Sequence, residues 1–202
     1  MTDRVVAEDK EDEGKGEQGA GMLSKALLES RQIPVFGAVD DKLAGRVVAQ
    51  LLALEADNPD KPITLILNSP GGSVTDGFAI YDTMRFIKPE VRVVCMGLAA
   101  SIATVILLGA PKAWRLATPS TKLLIHQVYI PGVVRGQASD LEITAKDLLQ
   151  TRDTINKLLA EETGQDFERI EKDTNRDYWM TAAEAVEYGL IARVITDRSE
   201  LE

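Results

Sequence analysis

Apolar positions along the chain form short continuous runs that alternate with longer stretches of helical period. Ile33 to Val39 is a short apolar run with Pro34 near its start, and it reads as a strand. Asp40 stands where an N-cap is wanted. Leu43, Val47, Val48, Leu51, Leu52 and Leu54 then recur on one face, which predicts a helix ending at Asn58-Pro59. Ile63 to Leu67 is a continuous apolar strand, Ser69-Pro70-Gly71-Gly72 a turn, and Val74 to Ile87 an amphipathic helix. Val91 to Met96 predicts another buried strand, Gly97 to Ser101 a turn, and Ser101 to Leu108 a buried helix. Strands alternating with helices argue for an α/β fold, with a largely parallel sheet covered on both faces.

The second half has a different rhythm. Trp114 to Ala117 and Leu123 to Gln127 read as strands. Beyond a Gly-containing loop, Leu141, Ala145, Leu148, Ile155 and Leu159 recur with helical period. This predicts a long helix from about Ser139 to Glu162, stopped by Gly164. That helix either lays one face on its own domain or projects toward a partner subunit, and the pattern leaves both open. A shorter helix follows from about Asp166 to Thr174. Thr174 to Trp179 reads as a link between two helices. Thr181 and Glu184 have the spacing of a capping box opening a last helix, which Gly189 closes, and Leu190 to Ile195 is a final strand.

Composition narrows the class. The 202 residues are 45% hydrophobic and 27% charged, as in an ordinary soluble domain, and the length fits one domain. Met1 to Gly21 differs: it is rich in Gly, Glu, Asp and Lys and cannot bury enough apolar surface to offset its ordering entropy. It reads as a mobile acidic arm, which leaves 22–202 as a single domain. A net charge of −9 repels phosphate backbones and argues against nucleic acid as a partner. No basic amphipathic stretch offers a membrane-surface mode. Val93 to Pro111 is uncharged over about 19 residues, close to the roughly 20 needed to span a bilayer. Gly97, Ser101, Thr104 and Gly109 interrupt it, and a buried strand followed by a buried helix explains it better. The first residues do not have the form of an export signal. Cys95, the one cysteine, sits in an apolar run and reads as a buried, inert thiol, so a reducing, cytoplasmic setting is expected.

Four places could carry chemistry. Ser69 to Gly72 ends a strand, where α/β sheets bind ligands and glycine lets backbone N–H groups approach them; a plain tight turn is the other reading. Gly97 to Ser101 puts a serine at a helix N-terminus. There its oxygen could attack while the N–H of Ile102 holds an oxyanion, or it could merely cap the helix. His126 is the one histidine, so any Ser–His mechanism must use it. It has no companions of metal-ligand spacing, so no metal is expected. Asp177 could orient an imidazole or be a solvated loop charge.

Taken in order and spacing, these segments resemble the ClpP family: Ser69-Pro-Gly-Gly-Ser-Val74, Thr75-Asp-Gly-Phe-Ala-Ile-Tyr-Asp-Thr-Met84, Gly97-Leu-Ala-Ala-Ser101, Ile125-His-Gln127, Gly136-Gln-Ala138, Arg176-Asp177 and Glu184-Ala-Val-Glu-Tyr-Gly189. The resemblance runs from about Ser24 to Asp197. It implies a ClpP/crotonase-like fold of repeated βαβ units with a projecting strand-helix handle. It implies a serine endopeptidase with Ser101 as nucleophile, His126 as general base and acid, and Asp177 as the orienting carboxylate. The N–H groups of Gly72 and Ile102 would form the oxyanion hole. A substrate peptide would lie as an added strand between Gly71, Gly72, Ser73 and Val74 on one side and Val128 and Tyr129 on the other. It further implies two stacked seven-subunit rings of ClpP-type subunits around a chamber for unfolded proteins and peptides. An AAA+ unfoldase of the ClpX, ClpA or ClpC type would feed that chamber. ATP belongs to that partner; this chain has no Gly-Lys-Ser/Thr phosphate loop, and no cofactor is expected on it.

The chain departs from the family's pattern in places. Ala103 stands where the family usually has Gly, Val128 where it often has Pro, and the loop to Gly136-Gln137 is longer. The unfoldase-docking cleft is usually aromatic; here its positions are Thr64, Ile66 and Leu116, with Phe86 remaining, which puts docking on this subunit in question. Asn175 replaces an acid that, beside the catalytic Asp, often pairs with an Arg of the facing ring, so Asn175 and Arg176 are the ring-pairing positions. These departures suggest a paralogue that works in a mixed assembly or with unusual regulation. Two other readings stay open: a non-catalytic or regulatory ring subunit, and a crotonase-type acyl-CoA hydratase or isomerase, which would need two backbone N–H groups after a Gly-rich turn but no Ser-His-Asp set.

Overall fold

The computed structural model describes residues 25–130 and 132–201, and the acidic arm expected over 1–21 lies outside them. A helical stretch α1 at residues 25–29 leads into β1 (Gln32–Phe36), α2 (Asp41–Asp57), β2 (Ile63–Ser69), α3 (Val74–Phe86), β3 (Val91–Ala100) and α4 (Ile102–Leu108). The helices start where local chemistry allows. The Asp40 carboxylate accepts the N–H of Leu43 at 2.8 Å, and Ser73 Oγ accepts that of Asp76, so each side chain satisfies an otherwise orphaned donor of the first turn. The rest of the chain adds β4 (Arg115–Ala117), β5 (Lys122–Ile125), α5 (Ala138–Thr163), α6 (Phe167–Thr174), β6 (Tyr178–Thr181), α7 (Ala182–Tyr188), β7 (Arg193–Val194) and a closing 3-10 turn, Arg198–Leu201.

The strands run in the order β1-β2-β3-β4-β7, all parallel; β5 pairs β3 in parallel and β6 pairs β5 antiparallel. This is the α/β architecture with a mostly parallel sheet that the alternation of elements implies. Every residue of α4 is buried, and a helix that is apolar all round belongs in the interior. It packs in the main core with Ile33, Val35, Leu65, Leu67, Val93 and Cys95 of the sheet.

Three elements differ from the sequence expectation. The turn expected at Gly97–Ser101 is instead the second half of β3. Its register against β2 shifts between the pairs Leu67↔Cys95 and Ser69↔Ala99, a bulge that bends the strand. Val93–Cys95 then pair with β4, while Leu98–Ala100 pair with β5. The link expected between two helices at Thr174–Trp179 contains the start of β6, which pairs with β5 from Ile125↔Tyr178 to Lys122↔Thr181. The last strand, expected over Leu190–Ile195, shrinks to Arg193–Val194. Leu190 and Ile191 are buried in the main core and bond to the carbonyl of Ala185 instead.

The two readings of the long helix divide along its length. Ile155, Asn156, Leu159 and Thr163 of α5 are buried, whereas Leu141, Ile143 and Leu149 in its first half are exposed. Its last turn is fixed by Arg115, which is fully buried. The guanidinium donates to the carbonyls of Ala110 and Leu108 at 2.9 and 3.1 Å and pairs with the Glu162 carboxylate. A buried cation is tolerated because each of its three guanidinium nitrogens finds an acceptor and a carboxylate balances the charge.

Candidate active site

The site grows from the carboxyl ends of β2 and β3. After β2 the chain passes Gly71 and Gly72 and crosses Val39: the N–H of Val39 donates to the Gly71 carbonyl at 2.9 Å, and the N–H of Ser73 to the Val39 carbonyl at 2.8 Å. Both glycines are required. Gly71 has φ +91°, and a Cβ on it would lie 2.6 Å from Ser101 Cβ; a Cβ on Gly72 would lie 2.2 Å from the Val39 oxygen. The turn therefore brings a backbone edge directly against Ser101.

Ser101 is held at φ 59°, ψ −129°, a conformation that L-residues rarely adopt and that costs about 1–3 kcal/mol. Its N–H donates to the Leu124 carbonyl at 3.0 Å, and its own carbonyl accepts from the N–H and hydroxyl of Thr104. Its side chain makes no capping bond to α4, so the capping reading does not hold and Oγ stays unengaged at the helix start. Among the described residues no acceptor takes the N–H of Ile102 or that of Gly72. Both donors border one cavity of about 320 Å³. Ser101 and His126 line the same cavity, together with Val74, Val105, Val128, Tyr129 and the apolar wall Ile125, Ile155 and Leu159.

β6 begins beside the segment that carries Asp177. Ile125↔Tyr178 is the last pair of the ladder, and His126 and Asp177 are the residues adjoining that pair on the two segments. Beyond the ladder Gln127 ties the two segments out of register: its N–H donates to the Thr174 carbonyl and its Nε2 to the Asn175 carbonyl at 2.8 Å. A second cavity of about 740 Å³ contains His126, Val128 and Tyr129 together with Asn175, Arg176 and Asp177. His126 thus lines both the serine cavity and the cavity that holds the carboxylate, as do Pro70, Gln127, Val128 and Tyr129. Its ring is not yet tied to either. Nδ1 lies 2.6 Å from the carbonyl of Gln127; a carbonyl only accepts, so Nδ1 carries the proton of this bond. Asp177 is exposed.

A model of the family described as Clp protease matches residues 15–198. The chain belongs to the Clp protease family. The matched span takes in the Gly71-Gly72 turn, Ser101, His126, Asp177 and the whole of α5, and the mostly parallel α/β sheet agrees with the ClpP-like fold inferred from the motifs.

Several site expectations are refined by the structure. Ser73 gives its hydroxyl to the α3 cap and its N–H to Val39, leaving Gly71, Gly72 and Val74 to face the cavity. Arg176 and Asn175 are exposed; Arg176 donates to the Asn175 carbonyl at 3.1 Å. Of the positions in the expected docking cleft, Leu116 is fully buried, Thr64 and Ile66 are half-buried, and Phe86 is 85% exposed. Cys95 is buried, which pushes its thiol up to about 12, in keeping with an inert role. Two contributors were not singled out from the sequence. Gly77 allows α3 to pack against Ile102, and a glycine inside an amphipathic helix was a visible sign of close approach. Gln127 holds the segment before Asp177, and nothing in its spacing announced that. No helix among the described residues is long and apolar enough to cross a membrane.

Proposed function

We propose that this chain is a serine endopeptidase subunit of a self-compartmentalised ATP-dependent protease. The observation that carries the reading is that Ser101, the N–H groups of Gly72 and Ile102, and His126 border one cavity with an apolar wall. A serine hydroxyl is a weak nucleophile until a base takes its proton. Nε2 of His126 carries the lone pair for that step. As Oγ attacks the peptide carbonyl carbon, the oxygen becomes an anion between the two N–H donors. One such donor is worth about 2.7–4 kcal/mol in kcat, because it is already aimed where charge develops. The imidazolium then gives its proton to the departing amine, and water repeats the sequence on the acyl-enzyme. Asp177 stabilises the imidazolium once Nδ1–H turns from the Gln127 carbonyl to the carboxylate. The substrate lies extended between Gly71 to Val74 and Val128 to Tyr129, its side chain against Val105, Ile155 and Leu159.

The exposed first half of α5, with Leu141, Ile143 and Leu149, suits contact with a facing subunit in ClpP-type rings. An AAA+ unfoldase supplies ATP-driven unfolding; this chain needs no cofactor. A single buried cysteine suits the cytoplasm. One observation favours a second reading, a non-catalytic or regulatory ring subunit: the His126 ring is bonded to Gln127 rather than to Asp177. A fluorophosphonate probe separates these readings. Acylation at Ser101, abolished in Ser101→Ala, supports the peptidase. An unlabelled but fully assembled protein supports the regulatory subunit or a crotonase-type hydratase.

A further inference from the structure

The two cavities that share His126 differ in what else they touch. Ser101, Gly72, Ile102 and the apolar wall of Val105, Ile155 and Leu159 line the first, of about 320 Å³. None of these lines the second, of about 740 Å³, which is bordered by Asn175, Arg176 and Asp177. The chemistry proposed above gives this division a direction. Ser101 Oγ bonds to the carbonyl carbon, the C–N bond breaks, and the amine nitrogen leaves with the proton that the imidazolium gives up. The acyl half therefore stays in the first cavity, with the nucleophile and the two N–H donors. The departing half begins at a nitrogen within hydrogen-bond reach of the imidazole. The room beyond the imidazole, away from Ser101, is the second cavity.

That cavity has an apolar side which the packing of this chain does not use. Tyr129 is 65% exposed, Ile130 and Val134 are exposed as well, and Leu148 of α5 is half-buried; all four line it. Val128, one residue earlier, packs against the main core instead. The Tyr129 ring lies 5.6 Å from the His126 ring, centroid to centroid, at an interplanar angle of 42°. Tyr129 also borders the first cavity, so its ring stands where the chain passes from one to the other. An aromatic ring offers a large apolar surface at such a crossing. Arg176 and Asp177 bring one charge of each sign to the far border, so neither sign of substrate charge is selected there.

We propose that Tyr129, with Ile130, Val134 and Leu148, forms the subsite for the residue that follows the scissile bond, and that this subsite selects a bulky apolar side chain. The inference rests on the peptidase reading, because only a reaction with a departing amine sends a chain into the second cavity. The substrate class becomes unfolded segments in which two apolar residues flank the cleaved bond, the first against Val105, Ile155 and Leu159 and the second against Tyr129.

Two short internally quenched peptides test this. Both carry leucine before the scissile bond, and they carry leucine or serine after it; mass spectrometry confirms where each is cut. Wild type should favour the peptide with leucine after the bond by about tenfold in kcat/KM, the discrimination expected of an apolar pocket. Tyr129→Ser should bring that ratio close to one, and Tyr129→Phe should keep it. Val134→Asp should lower the ratio as well, and supplies the reading if Tyr129→Ser does not fold. A wild-type ratio near one overturns the proposal, as does a ratio that Tyr129→Ser and Val134→Asp both leave unchanged. So does a loss of discrimination in Tyr129→Ser between aminocoumarin substrates that differ only in the residue before the leucine, because the ring would then serve the acyl half. A fluorophosphonate on wild type keeps two failures apart. Labelled Ser101 without the preference strikes the subsite alone, whereas no labelling and no hydrolysis strikes the peptidase reading and the subsite with it.

Discussion

Gly77 lies so close to Ile102 that a Cβ placed on it would come within 2.1 Å of Ile102 Cγ1. The two residues join the first turn of α3 to the first turn of α4, and Ile102 carries one of the two unpartnered N–H groups of the cavity. Gly77→Ala would favour an isolated helix by about 1 kcal/mol. Here the added methyl must push α3 from Ile102, and overpacking of this kind costs about 1–3 kcal/mol. We expect a lower melting temperature by circular dichroism and a fall in kcat on a short fluorogenic peptide of up to about 10²–10³-fold, the effect of misplacing one oxyanion donor. An unchanged kcat would separate Ile102 from catalysis.

Ser101→Ala, His126→Ala and Asp177→Ala should each remove most peptide hydrolysis while leaving the fold intact, since none of the three side chains is buried in the core. Members of a triad act as a unit, so Ser101→Ala combined with His126→Ala should lose little beyond the single change. Burst and steady-state kinetics read this directly. Losses that multiply would mean independent roles and would sink the assignment.

Asn175 bears on assembly. Its carbonyl and Oδ1 both lie within reach of Gln127 Nε2, at 2.8 and 3.4 Å, and a carboxylate at that position could still accept there. Asn175→Asp would add a charge that an Arg of a facing ring can meet. Hydrogen bonds to charged groups contribute about 1.5–3 kcal/mol, against about 0.5–1.5 for neutral ones. Native mass spectrometry should show the wild-type chain alone as single rings or poorly active double rings, with Asn175→Asp shifted toward active double rings. A wild type that is already a fully active double ring, and is unaltered by the substitution, contradicts this.

The thiol of Cys95, raised to about 12 by burial, should be silent in the native protein. At pH 8 a group of that strength is about 10⁻⁴ thiolate, and only the thiolate reacts. A chromogenic disulfide reagent should therefore label about one thiol per chain in denaturant and almost none in buffer over the same minutes. Prompt native labelling would mean that β3 opens readily.

Glu184 gives a pH signature. Its carboxylate is held below its usual 4.5, first by the backbone N–H of Thr181 and then by the Thr181 hydroxyl. A carboxylate depressed on folding adds stability that is fully present well above 4.5 and fades as pH falls through its lower folded value. Denaturant melts should show Glu184→Gln less stable than wild type near pH 7, with the gap closing as pH drops below about 4.5. A gap that persists at pH 2.5 would assign the effect to packing rather than to the charge.

Much of this chain could be read locally. The Asp40 cap, the Thr181–Glu184 capping box, the Gly164 and Gly189 stops and the period of α2, α3 and α5 all appear where the residues announce them. Each depends on contacts within a turn or two, and such contacts are written in spacing. The inert character of Cys95 followed in the same way from an apolar run, and the ordered motifs sufficed to point to the family. Other features depended on partners far away in the chain. The residues Gly97 to Ala100 carry no strand alternation, and the β5 edge on one side with Ser69 of β2 on the other makes them a strand. Tyr178 to Thr181 is too short and mixed to declare itself, yet its pairing with β5, which ends at Ile125↔Tyr178, is what brings the segment of Asp177 to the end of the strand that leads into His126. The positive φ of Ser101 occurs where its N–H donates to the distant Leu124 carbonyl and where Gly71 leaves no room for a Cβ beside it. Sequence patterns record local bonds and the period of buried faces, whereas register, strain and close backbone approach arise only when distant segments meet.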